Sequence, residues 1–340
     1  MSTVCTSILP TPEELGALHP LSPSSMETII DFRMTASDIL RSKDPRVALI
    51  LGPCSIHNCD EAIEYAKKLK VLQKKVANRF FLVMRVFFEK PRTCLGWKGF
   101  LYDPSLDGSN DLCEGLKKSR KLLVDLADMG VPCATEFLDP LVSGYFSDLI
   151  TWGLIGARTS ASQTHRQLAS GLNFPVGFKN GTLGELEPAI SGIISSQMPH
   201  THFSINQDGR VAGIQTTGNR LSHLVLRGSD LRTNCDPKSV QHAIESLKVH
   251  HQDLRVVIDC AHGNSGKDPK KQALAFSNCL EQISGGTKAI RGLMLESHLL
   301  GGNQMIPGNL DQLLHGVSIT DPCLGWDETE DLVCMSGVQN

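Results

Sequence analysis

Eight short apolar runs, each ending in polar or ionisable side chains and separated by helical stretches, constrain this sequence more than any other feature. They span residues 47–56, 80–87, 133–138, 154–158, 176–179, 224–227, 256–259 and 292–296. They are too continuously apolar for half-exposed strands and suit a parallel sheet covered on both faces. Helical spacing falls between them at 60–78, 112–130, 145–152, 162–172, 184–197, 238–250 and 270–283. Eight strands alternating with helices predict an α/β fold, a closed (β/α)8 TIM barrel. A doubly wound open sheet is the alternative. No GxGxxG or Walker-type loop opens the first helix, which counts against a nucleotide-binding version of it.

The chain has 340 residues, 41% of them hydrophobic, enough for one large barrel with a sizeable core. Residues 1–25 are rich in Pro, Ser and Thr and read as an extended arm, and 26–41 as a helix. The expected division is therefore an N-terminal arm and helix over 1–44, then a barrel catalytic domain with a C-terminal tail over 45–340. Two short strand-like runs around Asn206-Gln-Asp-Gly209 predict a hairpin insertion near the sixth strand. A net charge of −3 argues against a protein that coats nucleic acid or anionic membrane. No run of 18 apolar residues exists, and residues 1–20 lack the pattern of a signal peptide, so a cytoplasmic location is expected. The eleven scattered cysteines read as reduced thiols rather than a disulfide framework.

A barrel places its active site at the C-terminal ends of its strands, and the reactive residues gather there. Arg85, Lys90, Arg92, Arg158, Lys179 and Arg227 form a cationic group. Arginine forks match phosphate and carboxylate oxygens in pairs, and lysine adds a movable point charge. Any one of these cations is well explained by surface ion pairing with acids such as Glu89 and Glu136. Six at strand ends point to an anionic ligand. The second group, Cys54, His262, Glu296 and Asp321, mixes a thiol, an imidazole and two carboxylates. Such a set suits Mn, Fe, Co, Zn or Cu(II), although no spacing marks a metal site by itself. Taken singly, Cys54 reads as a buried thiol and His262 as a hydrogen-bonded strand-end histidine. His57 and His298 read as supports for neighbouring ligands or as strand caps.

Several motifs resemble the class I 3-deoxy-D-arabino-heptulosonate-7-phosphate (DAHP) synthases, of the type regulated by aromatic amino acids. They are Gly52-Pro-Cys-Ser-Ile-His57, Lys90-Pro-Arg-Thr93, Gly96-Trp-Lys-Gly99, Ile155-Gly-Ala-Arg-Thr159, Pro175-Val-Gly-Phe-Lys-Asn-Gly-Thr182, His262-Gly-Asn-Ser265, Glu296-Ser-His298 and Ser318-Ile-Thr-Asp321. The resemblance runs in order from about residue 45 to residue 327. It implies condensation of phosphoenolpyruvate with D-erythrose 4-phosphate and water to give DAHP and phosphate, the first step of the shikimate pathway. One divalent transition metal ion (Mn, Fe, Co or Zn) would be held by Cys54, His262, Glu296 and Asp321. Phosphoenolpyruvate would be held by Arg85, Lys90, Ala157, Arg158, Lys179 and Arg227, and erythrose 4-phosphate by Arg92 and Thr93. Glu136 joins the substrate-binding set, and Lys90 and His262 are the candidate catalytic residues. A homodimer or homotetramer without nucleic-acid or membrane partners is implied. Ser229-Asp230 departs from the Gly pair usual after the arginine, and Thr135, Cys94 and Ala261 are smaller departures. The rival readings are an aminoDAHP synthase, an octulosonate-forming relative, which Lys90-Pro-Arg-Thr93 speaks against, and a catalytically inactive regulatory paralogue.

Overall fold

The computed structural model describes residues 5, 7–92 and 94–336. Two helices, α1 (Pro12–Leu18) and α2 (Pro23–Leu40), precede β1 (Val47–Gly52), α3 (Cys59–Val76), β2 (Phe80–Arg85), α4 (Leu112–Asp128) and β3 (Cys133–Glu136). Next come α5 (Ser143–Phe146), β4 (Trp152–Ile155), α6 (Gln163–Gly171), β5 (Val176–Lys179) and α7 (Glu187–Ser196). A hairpin of β6 (Thr201–Ile205) and β7 (Val211–Gln215) intervenes before β8 (Ser222–Leu226), α8 (Pro237–Val249), β9 (Val256–Asp259), α9 (Pro269–Ser284), β10 (Ile290–Glu296) and α10 (Trp326–Met335). The eight parallel strands close in the order β1-β10-β9-β8-β5-β4-β3-β2, and β6-β7 form a separate two-stranded antiparallel sheet. The expected TIM barrel and its hairpin insertion are both present. Among the described residues no helix is long and apolar enough to cross a membrane.

Strand alternation sorts the core into two layers. Val47, Leu49 and Leu51 point outward and pack with α3 residues Ala62, Tyr65 and Leu69. Ala48 and Ile50 point inward and meet Val83, Trp152, Leu154, Val225, Val257 and Met294 in the barrel interior. Ala36, Ile39 and Leu40 of α2 join that interior cluster, so α2 closes one end of the barrel. Its side chains reach segments that lead into β4 and β5. The Arg33 guanidinium donates to the carbonyls of Ile150 (2.9 Å) and Ser147 (2.6 Å) and to Asn173 (3.1 Å). It also stacks over the Phe174 ring. The plugged end is thus the N-terminal one, leaving the opposite rim open.

Three local expectations need correction. The arm is not simply extended, because Thr11 and Glu14 form a reciprocal capping box that starts α1, with Pro12 at the first helical position. Helix α2 starts at Pro23 rather than Met26, with Ser22 capping it. Residues 145–152 are not one helix. Only α5 and a short 3-10 turn form there, and Trp152 already belongs to β4, paired with Ala134. The fourth strand is expected from residue 154, but it also takes in Gly153, where a side chain would press on the Phe174 and Phe137 rings at 3.1 and 3.2 Å. Packing rather than propensity sets this strand's start. Removing the Arg33 guanidinium tests the plug. Arg33→Ala should lower stability by about 2 to 3 kcal/mol, the scale of hydrogen bonds from a charged donor to buried carbonyls. Thermal and urea unfolding should report that loss while steady-state turnover stays near wild type.

Candidate active site

The open rim encloses a cavity of about 380 Å³ lined by Lys90, Arg92, Glu136, Ala157, Arg158, Lys179, Arg227, His262 and Asp321. Nine of the residues singled out from sequence are thus brought together. Cys54, Arg85 and Glu296 do not line it and are almost fully buried. They are tied to the lining residues: Lys90 Nζ lies 3.1 Å from Cys54 Sγ, and His262 Nε2 lies 3.7 Å from Glu296 Oε1. Thr93 lies outside the described residues.

Charge at the rim is balanced by pairs that skip a strand. Arg85 on β2 reaches past β1 to Glu296 on β10 at 2.9 Å, and its Nε donates to the Pro53 carbonyl on the way. Lys179 on β5 reaches Glu136 on β3 (3.0 Å) and Asp259 on β9 (3.7 Å). Alternate strands of a barrel contribute to the same layer of side chains, which is why these partners meet. Gly156 makes room for one of them, since a Cβ there would sit 2.5 Å from Glu136 Oε1. Burial by itself would raise the acids, but Lys179 and Lys90 hold Glu136 low, and His262 and Lys179 hold Asp259 far below the usual carboxylate range. The Cys54 thiol is pushed up by burial and by the Glu296 carboxylate.

After these pairings, three arginines remain. Among the described residues no ion pair engages Arg92, Arg158 or Arg227. Arg227 is buried, and among the described residues its Nη1 has no hydrogen-bond partner; nor has Nη1 of Arg85. A buried guanidinium nitrogen without a partner is costly and calls for an anion. The Phe87 ring adds support below, 4.1 Å from the Arg85 guanidinium and 5.8 Å from Lys179 Nζ.

Residues the sequence reading passed over hold this rim in shape. Asn180 accepts the Arg227 N–H at 2.8 Å and donates to the Gly228 carbonyl. Asn264 donates to the Leu226 and Asp259 carbonyls, so the ends of β5, β8 and β9 are laced together. Backbone touches backbone at Gly228 and Gly263, where a Cβ on Gly228, itself at φ 71, would lie 2.5 Å from a carbonyl carbon. His262 lies nearby at φ 49, a left-handed conformation rare outside glycine. Lys267 was also missed; its Nζ is 3.5 Å from Asp321 and it lines the cavity. No sequence spacing announces it.

Among the described residues, two groups of side chains have donor atoms within 4.8 Å of one another: Cys54, Glu296 and Asp321, and separately His57, Glu61 and His298. His262 stands beside the first group. Its Nδ1 is 2.9 Å from Asp259, which leaves Nε2 toward Glu296. That is how a carboxylate orients a metal-binding imidazole. Positive charge already stands against these donors, as the Lys90 ammonium on Cys54 and the Arg85 guanidinium on Glu296. A thiol, an imidazole and two carboxylates beside each other fit a divalent transition metal.

A closed parallel barrel with its ionisable side chains gathered at the C-terminal rim defines a (β/α)8-barrel enzyme. The chain belongs to the DAHP synthetase I family, whose model matches residues 25–333. It is 45% identical to the Tyr-sensitive phospho-2-dehydro-3-deoxyheptonate aldolase of Escherichia coli (strain K12), over 96% of this chain and 91% of that one. It is 42% identical to the enzyme of the same activity from Corynebacterium glutamicum, over 96% and 90%. A solved phospho-2-dehydro-3-deoxyheptonate aldolase from Francisella tularensis superimposes with a TM-score of 0.96 at 44% identity, covering 99% of this chain and 98% of that one. The activity is accordingly that of a DAHP synthase, the first step of the shikimate pathway to aromatic amino acids, in a family that uses a divalent metal.

Glu89 anchors the loop that presents Lys90. Its carboxyl accepts the N–H groups of Leu138 and Asp139 and lies 3.3 Å from the Tyr102 hydroxyl. Burial nevertheless pushes it up to about 8. An acid whose folded value exceeds its unfolded one binds more protons when folded, so its contribution to stability falls as pH rises between about 4.5 and about 8. Glu89→Gln keeps an acceptor for both N–H groups and removes that titration. The midpoint of thermal unfolding should therefore fall less steeply over this window in the variant than in wild type.

Proposed function

We propose that the rim residues divide into a metal-holding group and two phosphate subsites, which together condense phosphoenolpyruvate with erythrose 4-phosphate. The observation that carries this reading is the set of three unpaired arginines around one cavity, with the buried Arg227 Nη1 open. Arg158 and Arg227, with Lys179 and Ala157, receive the phosphate and carboxylate of phosphoenolpyruvate. Arg85 supports them from below through Glu296 and its free Nη1. Arg92, at the exposed edge, and Thr93 receive the phosphate of the aldose.

Cys54, His262, Glu296 and Asp321 would hold a divalent transition metal, which supplies Lewis acidity at the aldehyde oxygen. The protein's own groups do the rest. The arginines hold carbon 3 of the enol ether against the aldehyde carbon, an orientation effect worth about 7 kcal/mol at the low end. As that bond forms, positive charge grows at carbon 2, beside the Glu136 carboxylate, and water adds there, the proton it releases replacing the one Lys90 donates. The phosphohemiketal then loses phosphate by C–O cleavage, with Arg158 and Arg227 neutralising the leaving group. Lys90, kept protonated by the Cys54 and Glu296 partners that outweigh its burial, is placed to give a proton to the new alkoxide. The intact donor and cation sets support an active synthase over a regulatory paralogue. A cytoplasmic homodimer or homotetramer remains our reading of the assembly.

Exhaustive chelation should abolish phosphate release from the two substrates, and Mn²⁺ or Co²⁺ should restore it; full turnover in metal-stripped protein would refute the assignment. Cys54→Ser should weaken metal affinity, since a hydroxyl is not ionised at neutral pH. Arg158→Ala and Arg227→Ala should each raise KM for phosphoenolpyruvate about tenfold to a hundredfold, as expected for losing charge-assisted bonds of ~1.5–3 kcal/mol, and change that for the aldose little. Arg92→Ala should do the reverse. Identical patterns in all three variants would merge the two subsites into one.

A further inference from the structure

Behind the catalytic rim, Glu61 in the first turn of α3 is a buried carboxylate ringed by imidazoles. His57 Nε2 is 3.3 Å and His298 Nε2 3.4 Å from its Oε2, and His315 Nδ1 is 3.5 Å from its Oε1. Both ring nitrogens of His57 and Glu61 Oε2 are buried with no hydrogen-bond partner among the described residues. The proposed DAHP synthase chemistry uses none of these groups. Buried polar atoms left open in a well-packed region need an explanation, and an ion is one of the standard ones.

The hydrogen bonds around the cluster fix what each ring offers. His298 Nδ1 accepts the N–H of Leu299 at 2.8 Å, so its ring proton sits on Nε2, facing the carboxylate. His298 is therefore a group that orients Glu61, not a ligand. His315 Nε2 lies 2.9 Å from Glu64 Oε2 and its Nδ1 faces Glu61, and the Glu64 contact, with Glu61 beside it, raises this imidazole above its ordinary value. Positive charge is therefore required between Nδ1 and Glu61, and either a ring proton or a metal ion bound to the deprotonated nitrogen supplies it. A carboxylate on the far nitrogen of an imidazole is the usual support of a metal-binding histidine. His57 is held neutral, pushed down to about 4 chiefly by burial, so its lone pairs are available. The His315 side chain is 61% exposed, which gives a cation a way in.

We propose that His57, Glu61 and His315 form a second site for a divalent cation of borderline softness such as Zn²⁺, oriented by His298 and Glu64. Two imidazole nitrogens and a carboxylate are a familiar zinc donor set, with water completing the coordination. None of these donors belongs to the Cys54 group. His57 follows Cys54 by three residues and His298 follows Glu296 by two. A cation here would thus tie the loops after β1 and β10 to the start of α3.

The test is zinc stoichiometry of the full chain, stripped with chelator, reloaded with Zn²⁺, desalted and measured by elemental analysis. Wild type should retain two equivalents, Glu61→Gln and the exposed His315→Ala one each, with the second equivalent bound at least tenfold more weakly. Both variants should keep DAHP synthase activity. Cys54→Ser should retain one equivalent, and Zn²⁺ should raise its Tm but not that of Cys54→Ser with Glu61→Gln. Glu61→Gln and His315→Ala change the zinc count whatever residues hold the other ion, so their result is independent of the catalytic-metal assignment. A single equivalent in wild type that vanishes in Cys54→Ser would overturn the proposal, leaving a proton on His315 as the only cation at Glu61. Survival of the second equivalent in both Glu61→Gln and His315→Ala would overturn it equally.

Discussion

Everything at the rim depends on buried charges that are paired across the barrel rather than along it. Arg85 with Glu296, and Lys179 with Glu136 and Asp259, each join strands that are next-but-one neighbours. A buried ion pair gains little net stability against an apolar substitute, but removing one partner is costly because the other charge is stranded. These pairs therefore act as specifications. They require the strands to close in one register, and among the described residues they leave Arg92, Arg158 and Arg227 without an ion pair. Anion binding then becomes the completion of an electrostatic arrangement that folding leaves incomplete.

The same principle shapes the group proposed to hold the metal. Cys54, His262, Glu296 and Asp321 come from the loops or ends of three strands and a later segment, far apart in sequence and brought together by the fold. Lys90 and Arg85 press positive charge against this group, while Asp259 fixes the His262 ring from behind. Burial opposes ionisation of Cys54. Holding a metal and keeping the thiol ionised are consequently one event, in which cation charge replaces a proton.

Rigidity of this rim comes from asparagines and glycines rather than from further charge. Asn180 and Asn264 consume backbone groups that strand ends would otherwise leave unpaired. Gly228 and Gly263 let two loops touch. At the other end, Arg33 and the apolar face of α2 close the barrel. Function and closure thus occupy opposite ends, so the plug can be altered without touching the chemistry.

The sequence by itself determined the architecture and most of the cavity. Continuous apolar runs cannot be half exposed, so Val47 to Gly52 and its counterparts had to be buried on both faces, and their ends had to carry the polar residues. Lys90, Arg158, Lys179, Arg227 and His262 were legible for that reason, and the motifs around them carried the family. Local rules also read well where they act alone, as in the hairpin at Asn206–Gly209. They failed where packing overrode them, at Trp152 and Gly153 in β4, whereas the arm helix follows a local rule, the Thr11–Glu14 capping box. Only the tertiary structure decided which charges cancel. Linear order says nothing about Arg85 meeting Glu296, Lys267 meeting Asp321, or three histidines surrounding Glu61, because strand alternation and closure create those neighbours. Spacing along the chain encodes which face a residue takes; the identity of its partner depends on strands that meet only when the barrel shuts.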